Sequence, residues 1–294
     1  MYLIFNFIRK YSKDMPNILI FFILIFVSST AYSFEVFGRI PWSIKQKESL
    51  ITDPEEIKEI LLENNIKKID VVYHNRMLTN NEVDPEKIKK LALESLSNPD
   101  IPISFDYELG NRFKPETILP KILEIIDLYR FYGGKAQVGV YALLPQNTYG
   151  GAKLTYDQQK KYVELNKKYE ILAKKINFLS PSLYFYDGKN MENWKKSVDF
   201  NIGQSIFFAK KYGLKIYPYI TNTYTISKVD PVTKSWRVMY LSCSEMNQVV
   251  TYIRSRGADG IIIWNSSNVL DQYGKKPVIN LKNSWFEGTF KTCN

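Results

Sequence analysis

From Phe34 onward, short apolar runs alternate with lysine-rich segments in which the apolar residues recur at helical spacing. This alternation is typical of parallel strands joined by helices. The pattern predicts strands at residues 35–40, 69–73, 101–108, 137–143, 182–186, 214–220 and 260–264. It predicts helices at residues 54–64, 85–95, 115–131, 157–176, 197–212 and 244–256.

Local signals support these boundaries and the fold that they indicate. Asp53 suits the N-cap of a helix that begins at Pro54, and Gly213 and Gly257 directly follow two predicted helices. The first strand is not followed by Gly-x-Gly-x-x-Gly, which argues against a dinucleotide-binding open sheet. We therefore predict an α/β protein with a TIM-type (β/α) barrel, irregular and with about seven strands.

The first 33 residues have the pattern of a signal peptide. Arg9, Lys10 and Lys13 precede an apolar run at residues 18–27, and Ala31 and Ser33 suit the small-residue positions of a cleavage site. The run is short for a transmembrane span, although an uncleaved anchor is the alternative. We expect a signal peptide at residues 1–33 and a single, secreted or extracytoplasmic barrel domain at residues 34–294.

The numbers of cysteine and histidine residues limit the kinds of site that the protein can have. Two cysteines exclude a disulfide-dense scaffold or a four-cysteine zinc site, and the single histidine, His74, argues against a histidine-rich metal site. We therefore expect no metal and no cofactor, and we expect His74 to be a solvated loop residue. Cys243 and Cys293 either pair in an oxidising compartment or remain two thiols.

Carboxylates stand out at the predicted third strand, which ends in Ser104-Phe105-Asp106-Tyr107-Glu108. Strand alternation places Asp106 and Glu108 on the same face. Two adjacent carboxylates do not both ionise cheaply, so we expect one pKa to rise and to leave a protonated acid near neutral pH. Such a pair suits glycoside hydrolysis. The alternative is a pair of solvated acids where the strand meets a loop.

Aromatic and amide side chains lie at other predicted strand ends: Tyr141, Tyr184, Tyr219, Trp264 and Asn265. Sugar rings have apolar faces and polar rims, so this set is suited to bind a saccharide. Asn265-Ser-Ser also matches a glycosylation sequon, but its place beside the predicted site argues against a glycan there.

The net charge is +10 at pH 7; it falls slightly without the leader, and the protein stays basic. Basic secreted proteins tend to meet anionic glycans, membranes or cell walls, whereas the alternative is that the many lysine pairs cover solvated helix faces. We expect a polysaccharide partner, with an anionic one left open, no nucleic acid, and no membrane after signal cleavage. The sequence carries no signal for an oligomeric state.

Several segments together resemble the hyaluronidase family of bee venom and mammals. Asp106-Tyr-Glu108 resembles its Asp-Trp-Glu motif, and Gly139-Val-Tyr141 its Gly-Tyr-Tyr strand. The remaining matches, in the same chain order, are Ser180-Pro-Ser-Leu-Tyr184 with Tyr-Pro-Ser-Ile-Tyr, Tyr217-Pro-Tyr219 with Phe-Ala-Tyr, the Leu-Ser-x-x-Glu helix start at residues 241–245, and Gly257-Ala-Asp-Gly260…Trp264 with Gly-Ala-x-Gly-x-x-x-Trp.

The resemblance implies a retaining endo-glycosidase that uses the acetamido carbonyl of its own substrate as nucleophile. It implies that Glu108 is the general acid/base and that Asp106 positions and polarises the acetamido group. Tyr184, Tyr219 and Trp264 would hold the sugar and its N-acetyl group. The substrate implied is an N-acetylhexosamine-containing polysaccharide such as hyaluronan.

Two departures and three alternatives accompany this resemblance. The family continues Asp-Trp-Glu with Glu-Trp-Arg-Pro, whereas this chain continues with Leu109-Gly110-Asn111-Arg112, and the family's cysteine framework is absent. A chitinase-like glycosidase and a non-catalytic glycan-binding barrel are the alternatives. A barrel enzyme that binds a cation or a phosphate is disfavoured, since histidine ligands and a glycine-rich phosphate loop are missing.

Overall fold

Parallel strands in two sheets form the centre of the protein. The computed structural model describes residues 33–227, 235–282 and 284–293, so the predicted signal peptide lies outside the described residues except for Ser33. The four-stranded sheet has the order Tyr219–Ile220, Gly260–Trp264, Glu35–Arg39 and Lys67–Lys68. The five-stranded sheet has the order Lys215–Ile216, Phe178–Ser180, Val138–Tyr141, Ile103–Asp106 and Asp70–Tyr73.

The two sheets are linked where one stretch of chain contributes to both. Lys67–Lys68 pairs in the four-stranded sheet, and Asp70–Tyr73, which follows after one residue, pairs in the five-stranded sheet. Lys215–Ile216 and Tyr219–Ile220 are divided in the same way. The α/β class is confirmed. The backbone pairings of the described central strands make two sheets and not one closed barrel.

Side chains from both sheets meet in one inner cluster. It contains Phe37 and Ile262 from the four-stranded sheet and Phe178 from the five-stranded sheet, and Phe37 contacts Tyr217 with ring centroids 5.1 Å apart. A Cβ at Gly139 would lie 2.3 Å from the Phe178 ring, so only glycine fits opposite that side chain. A separate and larger core lies between the other faces of the strands and the helices.

The predicted helices are present, with some ends displaced. The helices are Pro54–Glu63, Pro85–Ser97, Leu119–Phe131, Tyr156–Lys168, Glu170–Ala173, Met191–Tyr212, Cys243–Ser255 and Trp285–Phe290, with 3-10 turns at His74–Arg76, Pro115–Thr117 and Gly151–Lys153. Asp53 caps the first helix, as predicted, by accepting hydrogen bonds from the Glu55 and Glu56 amides. Gly213 follows Met191–Tyr212 with φ of +69°, a conformation that favours glycine.

Two predicted elements differ from the structure. A strand was predicted at residues 182–186, but the strand lies at Phe178–Ser180, which is fully buried. Ser182 makes only an isolated bridge to Tyr219. The alternating aromatic residues Tyr184 and Tyr186 have the spacing of a strand without forming one. The helix predicted from Ser197 begins at Met191, because the Asn190 side chain accepts a hydrogen bond from the Asn193 amide at 3.0 Å and caps that end.

Smaller sheets lie outside the central strands and were not predicted. One joins Thr223–Ser227, Trp236–Tyr240 and Val269–Leu270. A second joins Val278–Asn280, Ser43–Gln46 and Ser49–Ile51, and a third joins Leu78–Thr79 and Glu82–Val83. The first of them follows directly after Tyr219–Ile220 and so begins beside the carboxyl ends of the central strands.

A disulfide closes the C-terminal end of the described chain. Cys243 and Cys293 are bonded, which settles the two alternatives left by the sequence. The bond fastens the segment after Trp285–Phe290 to the first residue of Cys243–Ser255. The two helices approach so closely that a Cβ at Gly288 would lie 2.0 Å from the Cys243 carbonyl oxygen. Among the described residues, no helix is long and apolar enough to span a membrane.

Candidate active site

The candidate site lies at the carboxyl ends of the central parallel strands. Tyr73 and Asp106 end neighbouring strands and are paired in register, and Tyr141 ends the next strand. In the four-stranded sheet, Arg39 and Trp264 end neighbouring strands and are likewise in register. Trp264 Nε1 donates a hydrogen bond of 2.9 Å to the Tyr73 hydroxyl, so the ends of both sheets meet at one place.

Asp106 is the carboxyl group at the centre of this arrangement. It follows the buried residues Ile103, Ser104 and Phe105, and its Oδ1 is buried without a hydrogen-bond partner among the described residues. The pKa of Asp106 is raised to about 7, mainly by burial and in addition by the charge of Glu108, while the charge of Arg112 opposes the rise. The expectation that one carboxyl of the pair has a raised pKa is thus met at Asp106.

Glu108 occupies a different environment. The strand ends at Asp106, so strand alternation does not extend to Glu108, whose side chain is 61% exposed. Its Oε1 lies 3.6 Å from Nη2 of Arg112. Arg112 is itself held in place, because its Nη1 donates to the Ala142 carbonyl at 3.1 Å and its own carbonyl accepts from the Tyr169 hydroxyl at 3.0 Å. Arg112, held in place by these two contacts, is therefore the ion-pair partner of a mostly exposed Glu108.

The predicted aromatic residues come together beside Asp106. Tyr184 stacks on Tyr141 with ring centroids 6.2 Å apart and on Trp264 at 6.0 Å, and Tyr141 meets Tyr219 edge-on at 4.8 Å. Burial raises the pKa of the Tyr141, Tyr184 and Tyr219 hydroxyls far above the ordinary value, so all three stay protonated at neutral pH. The site therefore has an aromatic wall with hydroxyl groups that can donate hydrogen bonds.

A chain of hydroxyl and amide groups extends from this wall. The Tyr141 hydroxyl donates to Ser182 Oγ at 3.2 Å, Ser182 Oγ and the Tyr186 hydroxyl share a hydrogen bond of 2.7 Å, and Asn147 Nδ2 donates to the Tyr186 hydroxyl at 2.7 Å. Ser182 and Asn147 were not predicted as site residues. The hydrogen bonds from Tyr141 to Ser182 and from Asn147 to Tyr186 join residues about 40 apart in the chain, and no local motif marks them.

Other polar groups near the strand ends have no hydrogen-bond partner within the described part of the chain. They are Ser180 Oγ, Asn265 Nδ2 and both amide atoms of Asn222. Buried polar groups are normally satisfied, and each unsatisfied one is costly. Asn265 directly follows Gly260–Trp264 and is only 4% exposed, a burial that fits the expectation that its sequon carries no glycan. These groups are unused hydrogen-bond donors and acceptors near the strand ends.

Three further features lie outside this cluster. His74 begins the 3-10 turn after Asp70–Tyr73 and is exposed, as expected for a loop histidine. A cavity of about 640 Å³ lies between Pro54–Glu63 and Pro85–Ser97, yet Asp106, Glu108 and the clustered tyrosines do not line it. Among the described residues, no group of three or more His, Cys, Asp or Glu side chains is placed to hold a metal ion.

The chemistry open to this cluster follows from its parts. A carboxyl group with a pKa near 7 is able to exchange a proton or to stabilise a neighbouring positive charge at neutral pH. Glu108 supplies a second carboxylate within electrostatic reach. The stacked rings offer a surface for the apolar face of a sugar, and the unpaired amides and hydroxyls offer partners for its rim.

Comparison with known proteins adds evidence on the fold. No family model matches the chain, and no curated protein matches its sequence significantly. Solved structures do match. The fold is similar to that of bee venom hyaluronidase. That crystal structure is 14% identical in sequence, and the match covers 80% of this chain and 92% of that chain with a TM-score of 0.54.

More distant structures also match. Cel5A of Thermotoga maritima in complex with cellobiose is 15% identical over 80% of this chain and 79% of its own, with a TM-score of 0.43. A GH18 chitinase from Pseudoalteromonas aurantia is 12% identical over 79% of this chain and 86% of its own, with a TM-score of 0.38. At such identities the similarity to bee venom hyaluronidase is one of fold alone.

Proposed function

We propose that the protein is a secreted, retaining endo-glycosidase that cleaves an N-acetylhexosamine-containing polysaccharide, such as hyaluronan, by substrate-assisted catalysis. The observation that carries the proposal is the buried Asp106 carboxyl, with its pKa near 7, beside the stacked Tyr141, Tyr184 and Trp264 rings. The similarity of fold to bee venom hyaluronidase supports the same conclusion at the level of architecture.

Glu108 acts as general acid and then as general base. As the acetamido carbonyl oxygen of the substrate attacks C1, Glu108 gives its proton to the glycosidic oxygen and the bond from C1 to that oxygen breaks. Glu108, now a carboxylate, takes a proton from water, whose oxygen attacks C1 and opens the ring formed by the acetamido group. Two displacements at C1 retain its configuration. The exposure of Glu108 gives both the leaving group and water access to it.

Asp106 stabilises the cyclised intermediate. The oxazolinium ring carries positive charge and an N–H group, and an ionised Asp106 accepts that hydrogen bond and balances the charge. Its Oδ1 is buried and accepts no hydrogen bond among the described residues, so the carboxyl group has an unused acceptor beside the aromatic wall. The positive charge of the intermediate in turn lowers the pKa of Asp106, so the carboxyl ionises more readily when the substrate has cyclised.

The aromatic and amide residues hold the sugar. Tyr184 and Trp264 stack nearly parallel, with 26° between their planes, and present one surface to a pyranose face. Tyr219 and Tyr141 provide hydroxyl groups beneath it, and Asn265 provides an unpaired amide nitrogen. Sugar rings are bound well by such a combination of apolar surface and a few placed polar groups.

The test is reducing-end release from hyaluronan, chondroitin, chitin oligomers and peptidoglycan. The mature protein should cut at least one of them, and Glu108→Gln should lose about 10²–10⁴-fold in kcat, the usual contribution of general acid catalysis. Glu116→Gln is the matched control, since Glu116 is exposed and lies in the 3-10 turn Pro115–Thr117. The proposal fails if no polymer is cut, or if Glu108→Gln cuts as well as the wild type.

One observation favours a second candidate, a barrel that binds a glycan without cleaving it. Glu108 is mostly exposed and paired with Arg112, so the acid is not held against the aromatic wall in this structure. Catalytic hydrogen bonds are often long without substrate and tighten on binding. Binding of an oligosaccharide without release of reducing ends, by the wild type as well as by Glu108→Gln, would establish this candidate instead.

The finer architecture and the location belong to the same proposal. The chain segments 67–73 and 215–220 each pair in both sheets, which supports an irregular barrel of about seven strands with interruptions in those two segments. Secretion rests on the leader pattern and on the disulfide, since disulfides persist in oxidising compartments. Sequencing the N-terminus of the exported protein tests cleavage near Phe34.

A further inference from the structure

Asn147 lies in the turn at residues 142–149, which follows a central strand, and it is only 4% exposed. Its Nδ2 donates a hydrogen bond of 2.7 Å to the Tyr186 hydroxyl, and its Oδ1 accepts one of 2.8 Å from the Tyr149 amide. Its backbone amide donates to the Ala142 carbonyl at 3.1 Å. One buried residue therefore closes this turn and fastens it to a neighbouring segment of the chain.

The Ala142 carbonyl accepts a second hydrogen bond, of 3.1 Å, from Nη1 of Arg112. Among the described residues it is the only hydrogen-bond acceptor of the Arg112 guanidinium, whose side chain is 13% exposed. Ala142 has φ of +48°, a left-handed conformation that disfavours residues with a Cβ. Such a conformation persists only where the surrounding contacts enforce it. The direction of this carbonyl is therefore set by the turn and not by the preference of Ala142.

Arg112 supplies the positive charge that acts on both carboxyl groups of the candidate site. Its Nη2 lies 3.6 Å from Oε1 of Glu108. Its charge opposes the rise in the pKa of Asp106, whereas the charge of Glu108 adds to that rise. Tyr141 and Tyr219 also interact electrostatically with Asp106, but burial raises their pKa values, so they stay neutral at neutral pH. The ionisation of Asp106 therefore depends on where Arg112 is held.

We propose that Asn147 is a positioning residue that acts through Arg112. The hydrogen bond to Tyr186 anchors its side chain, its backbone amide fixes the Ala142 carbonyl, and that carbonyl holds Arg112 within electrostatic reach of the two carboxyl groups. The inference rests on the proposed function only for its catalytic consequence. In that mechanism, Arg112 held in this place keeps a larger fraction of Asp106 ionised at neutral pH, the form that balances the charge of the cyclised intermediate.

The experiment measures the pKa of Asp106 and needs no turnover. Carbon-13 NMR of protein labelled at the aspartate carboxyl carbon follows the titration, and Asp106→Asn identifies the signal. The titration is repeated with Asn147→Ala, with Arg112→Gln and with both substitutions together. Asn280→Ala is the matched control, because the exposed Asn280 also accepts a hydrogen bond from the amide two residues later, that of Lys282, and lies in a sheet outside the central strands.

We expect Asn147→Ala to raise the pKa of Asp106 by about 0.5, because Arg112 is no longer held close to it. Added to Arg112→Gln, the same substitution should change the pKa by less than about 0.2, because its effect passes through the arginine. General loosening of the fold would instead let water reach Asp106 and lower its pKa, so the direction of the change separates a positioning role from a merely structural one.

Three results would overturn the inference. The pKa of Asp106 could stay unchanged or fall in Asn147→Ala. The rise could be equally large when Arg112 has already been replaced. The control Asn280→Ala could raise the pKa as much as Asn147→Ala does.

Tyr186→Phe tests the same contact from the other side, because it keeps the ring and removes the hydroxyl to which Asn147 donates. It should also raise the pKa of Asp106, and it keeps the inference falsifiable if circular dichroism shows that Asn147→Ala does not fold. An unchanged pKa in a folded Tyr186→Phe protein would overturn the inference.

The outcomes also separate this inference from the proposed function. A pKa that depends on Asn147 in a protein that cuts no polymer would retain the positioning role and remove the enzyme. Cleavage by a protein in which the pKa of Asp106 is insensitive to Asn147→Ala would retain the enzyme and remove the positioning role. Where both hold, the acid limb of kcat/KM should move to higher pH in Asn147→Ala by the same amount as the measured pKa.

Discussion

Trp264 and Tyr73 join the two central sheets at their carboxyl ends through one hydrogen bond, in which Trp264 Nε1 donates to the Tyr73 hydroxyl at 2.9 Å. Trp264 ends a strand of the four-stranded sheet and Tyr73 ends a strand of the five-stranded sheet. The same indole stacks on Tyr184. One side chain therefore connects the sheets and forms part of the aromatic wall, so the geometry of the candidate sugar surface depends on how the sheets meet.

The hydrogen bond predicts that Tyr73 and Trp264 are coupled in their contributions to stability, and a double-mutant cycle measures that coupling. Tyr73→Phe should lower the free energy of unfolding by about 1 kcal/mol, the usual net worth of a neutral hydrogen bond. In a Tyr73→Phe background, Trp264→Phe should cost about 1 kcal/mol less than it costs in the wild type, because the shared bond is already gone. Urea unfolding of the four proteins gives the coupling energy. Strictly additive effects would show that the bond contributes nothing to stability.

Loss of the disulfide should lower the free energy of unfolding substantially. Cys243 and Cys293 are separated by 50 residues, and cross-links of this span stabilise proteins by about 2–4 kcal/mol. Cys293→Ser should lower the unfolding free energy by that amount and make the segment around Trp285–Phe290 accessible to limited proteolysis. Thr292→Ser, an exposed neighbour, is the control. Equal stability of the reduced and oxidised wild type would contradict the prediction.

The sequence located the strands best where strong local signals bounded them. The apolar run of Gly260–Trp264 closely follows the helix-ending Gly257, and its bounds were predicted correctly. The strand predicted at residues 101–108 is present but shorter, since it ends at Asp106 and does not reach Glu108. The segment around Tyr184 was misplaced, because alternating aromatic residues after Pro181 imitate a strand while the paired residues are Phe178–Ser180. The local spacing of apolar residues indicates whether a segment is a helix or a strand, but it does not show which residues pair with a neighbouring strand.

The candidate site shows the same limit. Asp106, Tyr141 and Trp264 were proposed as site residues because they lie at or near the ends of predicted strands, and each ends a strand in the structure. Tyr184 joins them although it lies outside any strand. The pairing of Glu108 with Arg112 depends on the strand stopping at Asp106, and the hydrogen bond between Asn147 and Tyr186 spans 39 residues. Such contacts form only once the chain has folded, and the sequence offers no local signal for them.

The pKa of Asp106 predicts the acid limb of the pH profile. The proposed role requires the ionised form, and burial has raised the pKa of Asp106 to about 7. Below that pH, kcat/KM should therefore fall about tenfold for each pH unit, in line with simple titration of one group. A profile of kcat/KM from pH 4.5 to 9 on a soluble oligosaccharide tests this. A limb that persists unchanged in Asp106→Asn would belong to another group.

Substitution of Arg112 provides a second test of the acid limb of the pH profile. Its positive charge opposes the rise in the pKa of Asp106. Arg112→Gln should move the acid limb of kcat/KM to higher pH, since removing a nearby cation disfavours the ionised carboxyl. Arg237→Gln, on the strand Trp236–Tyr240, is the comparison that removes the same charge elsewhere. A limb that moves to lower pH in Arg112→Gln would rule out this assignment of charges.

Stability should depend on pH in the opposite sense to activity. The folded-state pKa of Asp106 is about 7 and the ordinary value is 3.8, so the folded protein holds a proton that the unfolded chain releases between these values. The stabilisation is complete below about pH 4 and is lost as the pH rises through 7. The difference of about three pKa units corresponds to a loss on the order of 4 kcal/mol.

Asp106→Asn isolates this contribution, because the amide has nearly the same shape and never ionises. Above pH 8 the variant should be more stable than the wild type by about 2–4 kcal/mol, and near pH 4 the two should be within about 1 kcal/mol. Urea unfolding at both pH values measures the difference, with the exposed Asp100→Asn as control. A variant less stable than the wild type at pH 8 would mean that the ionised carboxylate is stabilised by the fold. A buried catalytic group is expected to destabilise the fold in its ionised form, and that result would show that the Asp106 carboxyl does not.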